Sequence, residues 1–315
     1  MEPKKAYSIA KHKLSIISLT LMIDTIYKAV WRRREPGVKG LLLPLLSIGK
    51  YIGGMFICYS LLTWRAKIIF SIYTWFRRID DIMDKIATPP VGYDRESYVT
   101  QKNILINSLS NINNLKTYLL KEDLLIINLL KEAQFRKIDI VEEITNLWTV
   151  MLWDNKRINQ GPVSKEELSY YASLQDNAIL DVCIKTFNGD IHLFRESSKL
   201  IAGTFSKVDW LADINEDLKR GTINIPEESL KKYDIQLTEL LNCESWDDLK
   251  KVSGFLDWYK EEFELIAKEW TKTKKIFNKN LKKLFSSNIS LFIFRKLIIN
   301  EFQTLFKKLA YQVYA

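Results

Sequence analysis

Arg77-Arg78-Ile79-Asp80-Asp81-Ile82-Met83-Asp84 crowds three carboxylates into the end of an apolar segment. Residues four apart share one face of a helix, so Asp80 and Asp84 point the same way. Ile68, Ile69, Phe70, Ile72, Trp75 and Phe76 lead into the run, and Ile79 and Ile82 interleave with it. So apolar a helix has little room for a wide polar face, and carboxylates in such surroundings need partners. The pattern recurs at Asp213-Ile214-Asn215-Glu216-Asp217-Leu218-Lys219-Arg220-Gly221, beside Trp210 and Leu211. Asp213 and Asp217 again share a face.

Two such faces brought together would repel each other unless cations bridged them. Magnesium suits that position, with manganese as a substitute. It takes hard oxygen ligands and keeps room for substrate phosphate oxygens. A solvated acidic face is the plain alternative for either run alone, and the recurrence favours the metal. Arg77 precedes Asp80 by three residues, and Arg220 follows Asp217 by three. Each fits an intrahelical ion pair, worth roughly 0.2–0.5 kcal/mol, or a fork for diphosphate oxygens. Arg65 is a third candidate for diphosphate. Tyr73, one turn before Arg77, offers an aromatic face to a carbocation.

The bulk composition agrees with a helical protein. The chain has 315 residues, 47% hydrophobic and 12% aromatic, with only 11 Gly and 7 Pro. That favours helices over an all-β fold and argues against disorder. The formal charge of +9 attracts anions. Lys and Arg concentrate at 4–34 and 272–308, as a solvated surface or as a contact with anionic membrane. Cys58, Cys183 and Cys243 form no metal spacing or disulfide framework and fit a reducing cytosol. His12 and His192 are too few for a His-rich zinc site. No catalytic Ser-His-Asp pattern and no Gly-rich dinucleotide fingerprint appear. The first residues lack a signal-peptide cleavage pattern. The longest uncharged apolar run, Tyr51 to Trp64, is about 14 residues, short of the roughly 20 that span a bilayer. The expectation is a cytoplasmic monomer or homodimer with peripheral membrane contact, acting on a small molecule and not on nucleic acid.

Periodicity and punctuation predict helices over 5–34, 41–63, 65–86, 98–132, 134–156, 165–186, 191–219, 254–285 and 289–312, with short ones at 226–233 and 246–252. Residues 89–97 read as a loop. Ser164 opens a capping box with Glu167, Ser245 is a cap, and Gly221 ends the second acid helix. The only extended candidate is Thr222 to Ile225. A basic N-terminal helix (1–40) precedes one catalytic domain (41–315).

The run from Tyr73 to Asp84 resembles the first signature of the squalene/phytoene synthase family, and Asp209 to Pro226 resembles its second. Met151-Leu152-Trp153-Asp154 with Glu167-Leu168-Ser169-Tyr170-Tyr171 is similar to the family's middle segment. The resemblance runs from about Phe56 to Tyr311. It implies an all-α isoprenoid-synthase-type bundle around a central apolar cavity, and a magnesium-dependent transferase joining prenyl diphosphates head to head. Asp80, Asp81 and Asp84 would bind metal on one side, and Asp213 and Asp217, assisted by Glu216, on the other. Arg77 and Arg220 would hold diphosphate, and Tyr73 would sit by the cation. The chain departs from the family pattern at Asp209, Ala212, Ser206, Thr222 and Asn224, and at Asn177 and Leu180 where glycines are typical. Its entry segment is reduced to Met55-Phe56-Ile57. Losing the arginine at Ala212 removes an oxyanion contact, so a second reaction stands beside the first. In it, a class I terpene cyclase (a lyase) ionises and closes a single prenyl diphosphate.

Overall fold

Ile68, Ile72, Trp75, Phe76, Ile79, Ile82 and Met83 are all buried and recur at three- and four-residue spacings. This stripe makes 71–83 a helix, α1, with one face in a core. The computed structural model describes residues 64–65, 68–69, 71–114, 120–187, 203–285, 306 and 309–310. The expected helices at 5–34 and 41–63, most of 289–312, Cys58, both histidines and the entry segment lie outside the described residues. Every regular element among those described is helical, and none is a strand. The chain divides into two compact units, Met1–Val141 and Glu142–Ala315.

In the first unit α1 is followed by α2 (Arg95–Asn107), a 3-10 segment (Leu109–Asn114) and α3 (Asp123–Phe135). The single helix expected over 98–132 is thus broken. Ser108 and Asn111 favour local side-chain bonds over helix, and Asn111 is non-helical at φ −125°, ψ 51°. The loop expected to reach Ser97 ends sooner, because Asp94 and Ser97 form a reciprocal capping box. The helix expected from 134 starts at Val141, since Lys137 turns left-handed at φ 59° and stops α3.

A buried ion cluster organises this unit. Lys102, with no solvent exposure, lies 2.9 Å from Glu122 Oε1 and pairs more closely still with Asp123. Tyr98 hydroxyl donates to Glu122. Two side chains of α1 reach the same acids: Trp75 Nε1 donates to Asp123 at 3.3 Å, and Arg78 Nε lies 3.7 Å from Glu122. The first acid helix is therefore pinned by directional polar bonds as well as by its apolar stripe.

The second unit contains α4 (Val141–Lys156, all but its first residue), α5 (Lys165–Thr186), α6 (Thr204–Lys219), α7 (Glu227–Lys232), α8 (Leu237–Leu241), α9 (Trp246–Leu249) and α10 (Phe255–Phe285). Its core joins Val208, Leu211, Ile214 and Leu218 of α6 to Phe255, Trp258, Tyr259 and Ile266 of α10. Tyr259 hydroxyl donates to the Leu211 carbonyl at 3.1 Å. Ser164 caps α5 as expected by accepting from Glu167 N–H, while the Glu167 carboxylate accepts from Trp153 Nε1 at 2.7 Å. Ser245 caps α9, which ends at Leu249. Thr222 to Ile225 is buried and irregular.

Candidate active-site helices

The first acid helix stops at Met83, three residues short of expectation. Lys85 adopts φ 62°, its N–H bonds the Ile82 carbonyl at 3.2 Å, and Ile86 N–H bonds the Asp81 carbonyl at 2.8 Å. These two bonds define a Schellman turn, here with lysine in the left-handed position that glycine usually fills. Asp84 becomes the cap residue and still donates its N–H to Asp80 at 2.8 Å. Asp81 is buried, while Asp80 and Asp84 are half-buried. Arg77 Nη1 lies 2.9 Å from Asp80 and Nε 3.3 Å from Asp81. Burial alone would lower the Arg77 pKa, but Asp80 and Asp81 outweigh it and hold the guanidinium above its ordinary value. Tyr73 is exposed. Arg65 stacks on Trp64, whose ring also carries Arg136, at 4.5 and 4.1 Å. Burial and the Arg136 charge both lower its pKa.

The second acid helix ends in the same way. Gly221 (φ 81°) bonds the Leu218 carbonyl at 2.9 Å, and Thr222 N–H bonds the Asp217 carbonyl at 2.8 Å. Asp217 therefore stands in α6 where Asp81 stands in α1. Asp217 is buried; its Oδ1 accepts from Arg220, and its Oδ2 accepts from Asn224 Nδ2 at 2.6 Å. Burial pushes its pKa up to about 7; Arg220 opposes the rise, and Asp154 and Asp213 add to it. Asp213 is half-buried and Glu216 exposed. Gly221 serves a second purpose, because a Cβ there would lie 2.0 Å from Asn159 Oδ1. Asn159 N–H bonds the Gly221 carbonyl at 2.9 Å.

The N-terminus of α6 is fixed from outside the helix. Gly203, at φ 86°, supplies no capping side chain. Asp176 of α5 takes over, accepting from Phe205 N–H at 2.9 Å, Ser206 N–H at 3.1 Å and Ser206 Oγ at 2.7 Å. Burial pushes Asp176 up to about 7 against the pull of these donors. Ser206, a departure from the family pattern, is thus committed to anchoring α6 on α5.

Three groups escaped the reading of the sequence. Arg157 is 4% exposed and lies just past α4. Its Nε donates to Asp154 at 2.8 Å, its Nη1 to the Ile223 carbonyl at 3.1 Å, and its Nη2 to Asn224 Oδ1. It stacks on Trp153 at 4.3 Å. Asn224 stood out only as a departure, and Asp176 not at all.

The structure brings Arg77, Asp80 and Asp81 together in the first unit, and Asp213, Asp217 and Arg220 in the second. Arg77 and Arg220 both pair within their own helices. Among the described residues no three His, Cys, Asp or Glu side chains form a ready metal cage. The donors are nevertheless carboxylates at two helix ends. Magnesium is typically held by one or two carboxylates, waters and substrate phosphates, not by a dedicated protein cage, so the donor chemistry fits it. Cys183 and Cys243 are free, and burial pushes the Cys183 thiol up to about 12. No helix among the described residues is long and apolar enough to cross a membrane.

The helical architecture is that of the isoprenoid synthases. The chain is similar in structure to squalene synthase HpnC from Alicyclobacillus acidocaldarius, with a TM-score of 0.55 and 14% identity, over 82% of this chain and 92% of that one. The sequence matches no protein-family model and no curated protein. The likeness rests on backbone geometry, and it carries the fold.

Proposed function

We propose that this protein is a magnesium-dependent enzyme that removes diphosphate from a prenyl diphosphate and joins the resulting cation head to head with a second prenyl chain. One observation carries the reading: α1 and α6 end in the same turn, each with a buried aspartate in the last turn and an arginine within hydrogen-bonding reach of it. Asp80, Asp81 and Asp84 would hold metal at one helix end, and Asp213, Glu216 and Asp217 at the other. Magnesium would neutralise charge on the leaving diphosphate. Arg77 and Arg220 rest on the same carboxylates, so a bound diphosphate competes with those carboxylates for each guanidinium fork. Arg65 is a further basic contact, and Tyr73 presents its ring to the developing cation. Peripheral membrane contact would suit a lipid-like substrate.

The test is direct. Purified protein with magnesium and farnesyl or geranylgeranyl diphosphate should release diphosphate and yield products of doubled carbon count, and Asp80→Ala should abolish the release. No release from either substrate, or undiminished release by Asp80→Ala, overturns the proposal. Cyclisation of a single substrate is the second reading. It is favoured by the buried methyl of Ala212, which offers no cation to a second diphosphate. Cyclic products of unchanged carbon count would select it.

A further inference from the structure

We propose that Arg157 is a positioning residue that sets the free face of the Asp217 carboxylate through Asn224. The inference rests on the reading of Asp217 as a metal ligand and deepens it. Arg157 can only donate. Its Nη2 donates to Asn224 Oδ1, which forces the other end of that amide, the NH2, toward Asp217 Oδ2. Turning the Asn224 amide over would set donor against donor at Arg157 and acceptor against acceptor at Asp217. Both pairs are buried, so both mismatches would be costly. The amide therefore has one orientation, and Asp217 Oδ2 always carries a short N–H bond. Oδ1 faces Arg220, whose side chain is 39% exposed. Oδ1 is the oxygen that a cation would take.

The rest of the arrangement holds Arg157 still. Asp154 takes Nε and Nη2, the Ile223 carbonyl takes Nη1, and Trp153 covers the guanidinium face. Asp154, Arg157, Asn224 and Asp217 thus form one line from α4 to the last turn of α6, spanning residues 154 to 224. An outer partner that orients a metal-binding carboxylate typically governs affinity or activity by about 10–100-fold.

The experiment uses the full chain and manganese as the probe, with free Mn2+ counted by electron paramagnetic resonance and the magnesium dependence of diphosphate release measured beside it. Arg157→Leu and Asn224→Leu should each weaken Mn2+ binding and raise the half-saturating magnesium concentration about tenfold. At saturating magnesium, KM for the prenyl diphosphate should stay within about twofold, since only metal affinity has been lost. The double variant should be no worse than Asn224→Leu alone, because the two residues act in series. Arg157→Gln, which keeps a donor on Asn224, should recover most of the affinity. If Arg157→Leu does not fold, Arg157→Met replaces it, with the same loss expected because no donor is left for Asn224 Oδ1. Unchanged Mn2+ affinity in the folded variants, or losses that multiply in the double variant, overturn the proposal while leaving the function intact. A wild-type chain that binds no Mn2+ overturns this inference, and one that also releases no diphosphate with magnesium overturns the functional reading with it.

Discussion

Replacing Asp217 by asparagine should stabilise the protein while abolishing diphosphate release. Burial raises the Asp217 pKa from 3.8 to about 7. At about 1.36 kcal/mol per unit, holding this group ionised in the folded chain costs about 4 kcal/mol. Because the folded pKa lies above the unfolded one, the folded chain binds the extra proton. The contribution of Asp217 to stability is whole below about pH 4 and is lost as pH rises through about 7. Asp217→Asn removes that dependence. Its amide oxygen still accepts from Asn224 Nδ2, and what disappears is the partly exposed pair with Arg220, worth roughly 0–1 kcal/mol. In urea denaturation the variant should therefore gain on the wild type by about 2–3 kcal/mol between pH 5 and pH 8. A stability difference that stays flat with pH would refute the reasoning, as would a variant that loses ground on going to pH 8. The first would mean that desolvation does not dominate at this carboxylate, and the second that Arg220 outweighs it.

Gly221→Ala should lose roughly 2–3 kcal/mol: about 1–2 from a left-handed alanine, and the remainder from the collision with Asn159 Oδ1. Asn159→Gly in the same chain should return only the second part, which urea denaturation of the single and double variants resolves. Lys85→Gly should gain about 0.5 kcal/mol by relieving the positive φ, and a lower melting temperature would contradict that account of the turn. Lys102→Met should lose about 3–5 kcal/mol by leaving the buried Asp123 without its cation and Glu122 with only the more distant Arg78. Asp123→Asn in that background should recover part of the loss in thermal unfolding, and no recovery would show that packing, not charge, holds the cluster.

Elements with an apolar stripe of their own were legible in the sequence. α1 and α10 carry that stripe, α5 announces its start with Ser164, and α6 its end with Gly221. The break between α2 and α3 was not legible, because Leu and Ile at helical spacing mask asparagines whose cost appears only when summed. The lysine at the turn after Asp84 was hidden for a different reason: left-handed lysine is rare, and only the bonds from residues 85 and 86 reveal it. Both acid motifs could be found, since each is local. The groups that hold the second one could not. Arg157 meets Asn224 across 67 residues, and Asp176 meets Ser206 across 30. No local spacing encodes either meeting, and in the sequence Arg157 is one cation among 47.

The placement of acids along the helices bears on why those two motifs exist. Glu142 and Glu143 lie in the first turn of α4, Glu166 and Glu167 in that of α5, Glu227 and Glu228 in that of α7, and Asp247 and Asp248 in that of α9. Acids at these ends oppose the positive pole of the helix, each favourable by roughly 0.3–1 kcal/mol. α1 and α6 do the reverse. Asp80, Asp81 and Asp84 crowd the negative end of α1, and Asp213, Glu216 and Asp217 that of α6, with Asp81 and Asp217 buried as well. Dipole and mutual repulsion act against these six groups, desolvation adds to them at the buried Asp217, and Arg77 and Arg220 offset only part of that. Single acids also stand in the last turns of α3 (Glu132) and α4 (Asp154), but among the described helices only α1 and α6 crowd three acids at that end, which a sequence shaped for stability alone would avoid. A cation at either end would offset the repulsion and the dipole there, and this supports reading each turn as a place for a cation.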